Sequence, residues 1–219
     1  MRRGFFVALA MVVIAGFVVP QKVEAQGFVC GVRGGANLSS LIGVDNTSPR
    51  VGYNVGLVGG YFFGENLGLT LEVDYSEQGT LCNPNEQGVA FEYRYNYLNV
   101  PLLLNYRLPI SELDLRVVAG GQLGLFLNAD YEYTAPSILG EGTIGGRGSF
   151  DKGSFHPMDV GVALGVQWFP WESVALDVRY TMAVTQTHDG ISNTLNGYYY
   201  ISVPDNRNSV VQLGLSVLF

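Results

Sequence analysis

The chain has 219 residues, 47% hydrophobic and 14% charged, with a formal net charge of −7. The acidic balance excludes a nucleic-acid footprint, which needs clustered basic side chains, and the only lysines are Lys22 and Lys152. The length suits one domain.

At the start, Arg2 and Arg3 precede an apolar run from Phe5 to Val19, and Val23-Glu24-Ala25 offers a small-residue cleavage site before Gln26. Residues 1–25 therefore read as a secretory signal peptide and are set aside from the fold. The alternative, a membrane anchor, is disfavoured because the run is about 15 residues, Pro20 ends it, and a spanning helix needs about 20. A lipoprotein start is disfavoured too, since Gly27-Phe28-Val29 before Cys30 lacks the small residues of such a site. Residues 26–219 form the domain, and cleavage leaves them more acidic, because Arg2, Arg3 and Lys22 go with Glu24. No later apolar run could make a membrane helix. Any crossing must then use strands, and only as a closed barrel, since open sheet edges are not tolerated in hydrocarbon.

Segments with a period of two follow one another along the chain. The first, near Phe28 to Leu38, sets Val32, Ala36 and Leu38 against Arg33 and Asn37. The second, Val51 to Phe63, aligns Val55, Leu57, Tyr61 and Phe63. The third opposes Leu67, Leu69, Leu71, Val73 and Tyr75 to Thr70, Glu72, Asp74 and Ser76. The fourth, Tyr93 to Tyr106, opposes Leu98, Val100, Leu102 and Leu104 to Asn99 and Asn105. The fifth opposes Leu113, Leu115 and Val117 to Asp114 and Arg116. The sixth sets Met158 to Trp168 against Asp159 and Gln167, and the seventh Val174 to Met182 against Asp177 and Arg179. The last reads Val211, Leu213, Leu215, Val217, Phe219 against Gln212, Gly214 and Ser216. Successive strand side chains point to opposite faces, so each segment has one greasy and one polar face. Each is near the 9–11 residues of a tilted membrane strand.

The connectors alternate. Gly64-Glu65-Asn66, Pro109 to Glu112 and Pro170 to Ser173 are short, while residues 39–50, 77–92, 128–156 and 186–208 read as long loops. The expected fold is all-β: an eight-stranded antiparallel up-and-down transmembrane β-barrel with short periplasmic turns, long extracellular loops and both termini periplasmic. A Greek-key sandwich has no reason to alternate in this way. Tyr61, Phe63, Tyr106, Trp168, Phe169, Trp171 and Phe219 fall near the short-turn end, and Tyr53, Tyr75, Tyr97 and Tyr180 toward the other, as two interfacial girdles would. Phe219, ending the last strand, reads as the assembly signal of a bacterial outer-membrane barrel. Cys30 and Cys82 fall at opposite ends of the predicted barrel, beyond the roughly 7 Å that a disulfide permits between Cα atoms, and are expected to be free thiols.

An eight-stranded barrel is just wide enough to be filled by side chains. Arg33, Glu72, Asp74, Asp114, Arg116, Asp159, Asp177 and Arg179 are the expected interior polar network, centred on ion pairs of Arg33 and Arg179, because unpaired charges in so confined a space are costly. No cofactor or metal site is indicated. His156 and His188 are the available imidazoles. A His188–Ser192 pair would suit a lipid A-modifying enzyme, but nothing in the spacing brings base and nucleophile within hydrogen-bond reach. Asp130, Glu132, Glu141 and Asp151 lack the spacing of a calcium loop. The glycine-rich loop 128–156, based on Tyr131 and Tyr133, and Tyr198-Tyr199-Tyr200 in the last loop suit either surface contact or simple solvation. Pro101 cannot donate to a ladder, so a bulge at Asn99 to Pro101 is expected, with a change of face for the tyrosines before it.

Tyr97-Leu98-Asn99-Val100-Pro101-Leu102-Leu103-Leu104-Asn105-Tyr106 resembles the PorT-like outer-membrane β-barrel family of Bacteroidetes-type bacteria. Leu71-Glu72-Val73-Asp74-Tyr75-Ser76-Glu77-Gln78-Gly79 is similar to its preceding strand, and Gly31-Val32-Arg33-Gly34-Gly35-Ala36-Asn37-Leu38-Ser39 to its first. The resemblance spans essentially the whole mature chain and makes Pro101 a family feature. It implies a barrel without a defined set of catalytic residues; the founding member assists secretion through a type IX system. The expected role is a non-enzymatic membrane scaffold or surface-contact protein of the bacterial outer membrane, serving as a secretion accessory. Alternatives are a narrow porin for small solutes and, behind it, a lipid A-modifying enzyme. Expected partners are outer-membrane lipid and lipopolysaccharide, the outer-membrane assembly machinery and secretion-system proteins.

Overall fold

Where the alternation is regular the chain forms strands, and their hydrogen bonds close into a ring. The computed structural model describes residues 27–43, 46–84, 88–110, 113–137, 142–150, 155–187, 191–195, 199–203 and 207–219, so the signal-peptide segment and His188 lie outside the described residues. The strands are β1 (Gly27–Ile42), β2 (Thr47–Phe62), β3 (Leu67–Cys82), β4 (Ala90–Arg107), β5 (Asp114–Pro136), β6 (Thr143–Ser149), β7 (Met158–Trp171), β8 (Val174–Ala183), β9 (Ile191–Leu195), β10 (Tyr199–Val203) and β11 (Arg207–Leu218). Eight of them form the antiparallel ring β1-β2-β3-β4-β5-β7-β8-β11, closed by pairing of β11 with β1. At that seam Phe219 N–H donates to Cys30 O at 2.8 Å and Cys30 N–H to Phe219 O at 3.2 Å. No helix among the described residues is long and apolar enough to cross a membrane. The ring crosses instead, since closure leaves it no unpaired edge.

The two faces differ as the alternation demands. Val55, Leu57, Leu71, Val162, Leu164, Val178, Leu213 and Leu215 stand outward and exposed, a continuous apolar belt that water would not tolerate at this extent. Between them Arg33, Asn37, Glu72, Asp74, Asn99, Asp177, Arg179 and Gln212 point inward and are buried. Outward rings border the belt at the short-turn end: Phe28 lies 4.7 Å from Tyr61 and Tyr61 5.2 Å from Phe63, centroid to centroid. Tyr53 and Tyr75 meet at 6.0 Å near the opposite end. Two rings expected in the girdles are inside instead. Phe169 shares parity with Asp159 and Gln167, and Tyr97 with Asn99, so both face the lumen and are buried.

Much of what reads as loop continues as strand. β3 and β4 stay paired up to Cys82↔Phe91, and β4 and β5 up to Ala90↔Thr134. β5 then doubles back as β6, paired from Pro136↔Thr143 to Asp130↔Ser149, and β9 and β10 form a separate hairpin in the last connection. One wall of the barrel therefore rises above the apolar belt. The bulge expected at Asn99 to Pro101 is not there. The β3–β4 register is the same on both sides of Pro101, from Leu71↔Leu102 to Asp74↔Asn99, and β4 keeps its odd residues inward throughout. Proline costs hydrogen bonds at that point without adding a residue. The extra residue is Leu127 on β5, between Tyr97↔Phe126 and Asn96↔Asn128.

Candidate functional site

The inward side chains stack in layers from the short-turn end to the long-loop end. The first layer is Arg116, whose guanidinium carbon lies 4.6 Å from the Phe62 ring centre and 4.1 Å from that of Phe169, a cation–π sandwich. Asp114 accepts from Arg116 Nε and Nη2, both at 3.0 Å, and Arg107 Nε lies 3.4 Å from it. Asp114 and Arg116 thus pair with each other at the mouth of the barrel, apart from the ion pairs of Arg33 and Arg179.

The second layer is ionic. Arg33 Nη1 donates to Glu72 Oε2 at 2.6 Å and to Asp74 Oδ2 at 2.8 Å, and its Nη2 reaches Asp177 Oδ1 at 3.3 Å. Arg179 grips the same Glu72 with two prongs, Nη1 to Oε2 at 2.7 Å and Nη2 to Oε1 at 2.8 Å. The fork matches a carboxylate in plane, which is why arginine and not lysine suits both positions. Three strands supply these groups, β1, β3 and β8, while β2 and β11 leave them space. Glycine makes the room: a Cβ at Gly214 would strike the Asp177 carboxylate, and one at Gly56 on β2 that of Asp74. All five charged side chains are at most 4% exposed, so the lumen is crossed here by packed ion pairs.

Above them amides take over. Asn37 Nδ2 donates to Ser76 Oγ at 2.9 Å and to the backbone oxygens of Tyr53 and Glu77, both at 3.0 Å. Its Oδ1 accepts from Asn54 Nδ2 at 2.7 Å and Gln212 Nε2 at 3.2 Å. Asp159 stands apart from the ion pairs as well. Its Oδ1 accepts from Thr185 Oγ1 at 2.5 Å, at the head of β7.

The top layer is an aromatic lid. Phe126 and Phe155 stack at 4.6 Å, Phe150 meets Tyr131 at 4.9 Å and Phe155 at 5.7 Å, and Tyr95 and Tyr97 close on Phe155 and Phe126 at 5.7 Å each. With Leu41, Val89, Phe91, Tyr93, Ala129 and Ala135 they form the main apolar cluster, buried inside the wall that rises above the belt. Burial pushes the Tyr93 and Tyr95 phenols upward and the Cys82 thiol up to about 11. Sequence reasoning missed this lid, although a signal existed: Tyr93, Tyr95 and Tyr97 share the parity of Asn99 and Asn105.

The same wall is charged outside. Arg50 Nε donates to Glu92 Oε1 and Arg50 Nη2 to Glu77 Oε1, both at 2.8 Å, and the first bond holds the Glu92 carboxyl below its ordinary value against burial. Arg50 passes over Gly79 (φ +148°), where a Cβ would also strike the Tyr93 carbonyl. Asp130 and Glu132, weighed as calcium ligands, accept from Ser149 Oγ at 2.5 Å and pair with Arg147 Nε at 3.0 Å; Glu141 and Asp151 lie outside the described residues. His156 N–H donates to Thr187 O at 3.1 Å. Cys30 sits at the short-turn end of β1 and Cys82 at the opposite end of β3.

Residues 21–189 match the family model of the outer membrane protein beta-barrel domain. The chain belongs to that family. It is an integral β-barrel protein of the bacterial outer membrane, and its apolar belt is the surface that meets lipid. Solved structures similar to the barrel include Ail of Yersinia pestis, at 16% identity over 88% of this chain and 99% of that one, with a TM-score of 0.41. Neisserial surface protein A is similar at 16% identity over 90% and 100% with a TM-score of 0.42, and OprG of Pseudomonas aeruginosa at 13% over 89% and 97% with 0.43. A comparison with curated proteins found no match.

Proposed function

We propose that this outer-membrane barrel is a non-enzymatic membrane scaffold or surface-contact protein of PorT-like type, acting as a secretion accessory, with its short-turn end and both termini toward the periplasm. The observation that carries this reading is the filled lumen. Among the described residues, Arg116 between two phenylalanines, the ion pairs of Arg33 and Arg179, and the aromatic lid occupy the lumen at three heights, which favours the scaffold over a narrow porin. The charged outer face of the rising wall is then the surface offered to lipopolysaccharide and to secretion-system proteins.

Planar-bilayer recording of the purified barrel is expected to show no steady conductance; a reproducible open channel would overturn the plug. Affinity isolation from native membranes checks the accessory role, and recovery of the barrel alone would remove it. Phe219 is further proposed as the assembly signal, since it pairs across the closing seam. Phe219→Asp is expected to cut the yield of heat-modifiable barrel severalfold, measured by gel mobility with and without boiling.

A further inference from the structure

Between the ion-pair layer and the aromatic lid lies a cavity of about 20 Å³, lined among others by Gln78, Asn99, Gln122, Asp159, Thr181 and Asn208. One water-sized particle needs roughly 10–15 Å³ of such space, so the cavity takes a single bare particle and not a hydrated one. Tyr97 roofs it from the lid side. Its walls are polar in a particular way. Thr181 Oγ1 and Asn208 Oδ1 are buried, their residues 4% and 5% exposed, and have no hydrogen-bond partner among the described residues. The amide nitrogen of Asn208 is committed to Gln78 Oε1, which leaves its carbonyl oxygen as the unused group. Asp159 brings a carboxylate, and no lysine or arginine lines the cavity.

The charge around the cavity points the same way. Two guanidinium groups meet three carboxylates in the layer below, so that layer is negative by one charge. Oxygen donors that are mostly neutral amides and hydroxyls, with one carboxylate, suit a hard cation of low charge; divalent sites gather more carboxylates. We propose that the cavity is a binding site for one dehydrated sodium-sized cation, held by Asp159, Thr181 Oγ1 and Asn208 Oδ1, with the side-chain oxygens of Asn99 and Gln122 beside them. The lid lies above the cavity and the ion pairs below it.

The test uses the full barrel refolded into detergent in sodium chloride or in choline chloride at equal ionic strength. It is run at about pH 8 in both salts. A higher thermal midpoint in sodium is expected, together with an anomalous peak in the cavity of crystals soaked in thallium(I) nitrate. Thr181→Val keeps the shape and removes one oxygen; the sodium concentration giving half the effect should rise about 10- to 100-fold. Asp159→Asn should abolish both signals, and Asn208→Asp should move the preference toward calcium. Equal midpoints in the two salts with no thallium peak, or a sodium effect undiminished in both Asp159→Asn and Thr181→Val, overturns the site and leaves a water-filled chamber.

Discussion

The ion-pair layer and the aromatic lid obstruct one lumen in contrasting ways. The ionic layer stands where the wall is a complete eight-stranded ring and each charge comes from a strand held by neighbours on both sides. The lid stands above that, on the raised β3–β4–β5–β6 wall, and draws Phe150 and Phe155 from a connecting segment. Charged groups in a dry interior depend on donor geometry of a few tenths of an ångström, so they need the rigid ring. Apolar rings ask only for contact, and contact can be built on a less constrained part of the chain.

The contrast can be broken most severely at Arg179. Arg179→Met removes both prongs on Glu72 and leaves the layer with one guanidinium against three carboxylates. A loss of about 3–5 kcal/mol is expected, the usual cost of stranding a buried charge, read from urea unfolding in detergent. A loss near zero would mean that water or a proton readily replaces the guanidinium. Phe155→Ala should cost less, about 0.5–3 kcal/mol, because the ring beneath it is intact. Limited proteolysis is expected to cut near the lid in this variant while the barrel band persists. A collapse of the whole barrel would show that lid and ring are one cooperative unit.

The smallest effect is a matter of pH. Buried phenols whose values are raised above about 10 favour the closed lid fully below that pH and lose that contribution as the pH climbs toward their folded values. Tyrosinate absorbance should therefore show Tyr93 and Tyr95 titrating after the exposed tyrosines, and the lag should shrink in Phe155→Ala. The ion-pair layer should leave this lag untouched.

The two regions were unequally legible in the sequence. Strand number, pairing order and the inward face of Arg33, Glu72, Asp74, Asp177 and Arg179 follow from a period of two, which is a local property. That Arg33 and Arg179 share Glu72, while Asp159 turns to Thr185, depends on stagger between strands far apart in the chain. The lid was hidden for another reason. Tyr97 looked like a girdle residue by height, yet its parity with Asn99 placed it inside. Proline at 101 suggests a bulge on β4, whereas the register shift of the β4–β5 pair comes from the extra residue on β5. Strand length was also misread, because turn-forming glycines in β6 lie beneath rings: a Cβ at Gly146 or Gly148 would press on Tyr133 or Tyr131.

Leu127 shows how much can hang on one position. It is the odd residue out in the β4–β5 register, and above it the odd-numbered side chains of β5 turn inward where the even ones did below. Tyr131, Tyr133 and Ala135 thereby join the lid, and Asp130 and Glu132 are left for solvent. Deleting this one residue would exchange the two sets and force two carboxylates among the tyrosines. Most changes of side chain at Leu127 should pass unnoticed, because what the position encodes is a count of residues along the strand, and only an insertion or deletion can corrupt a count.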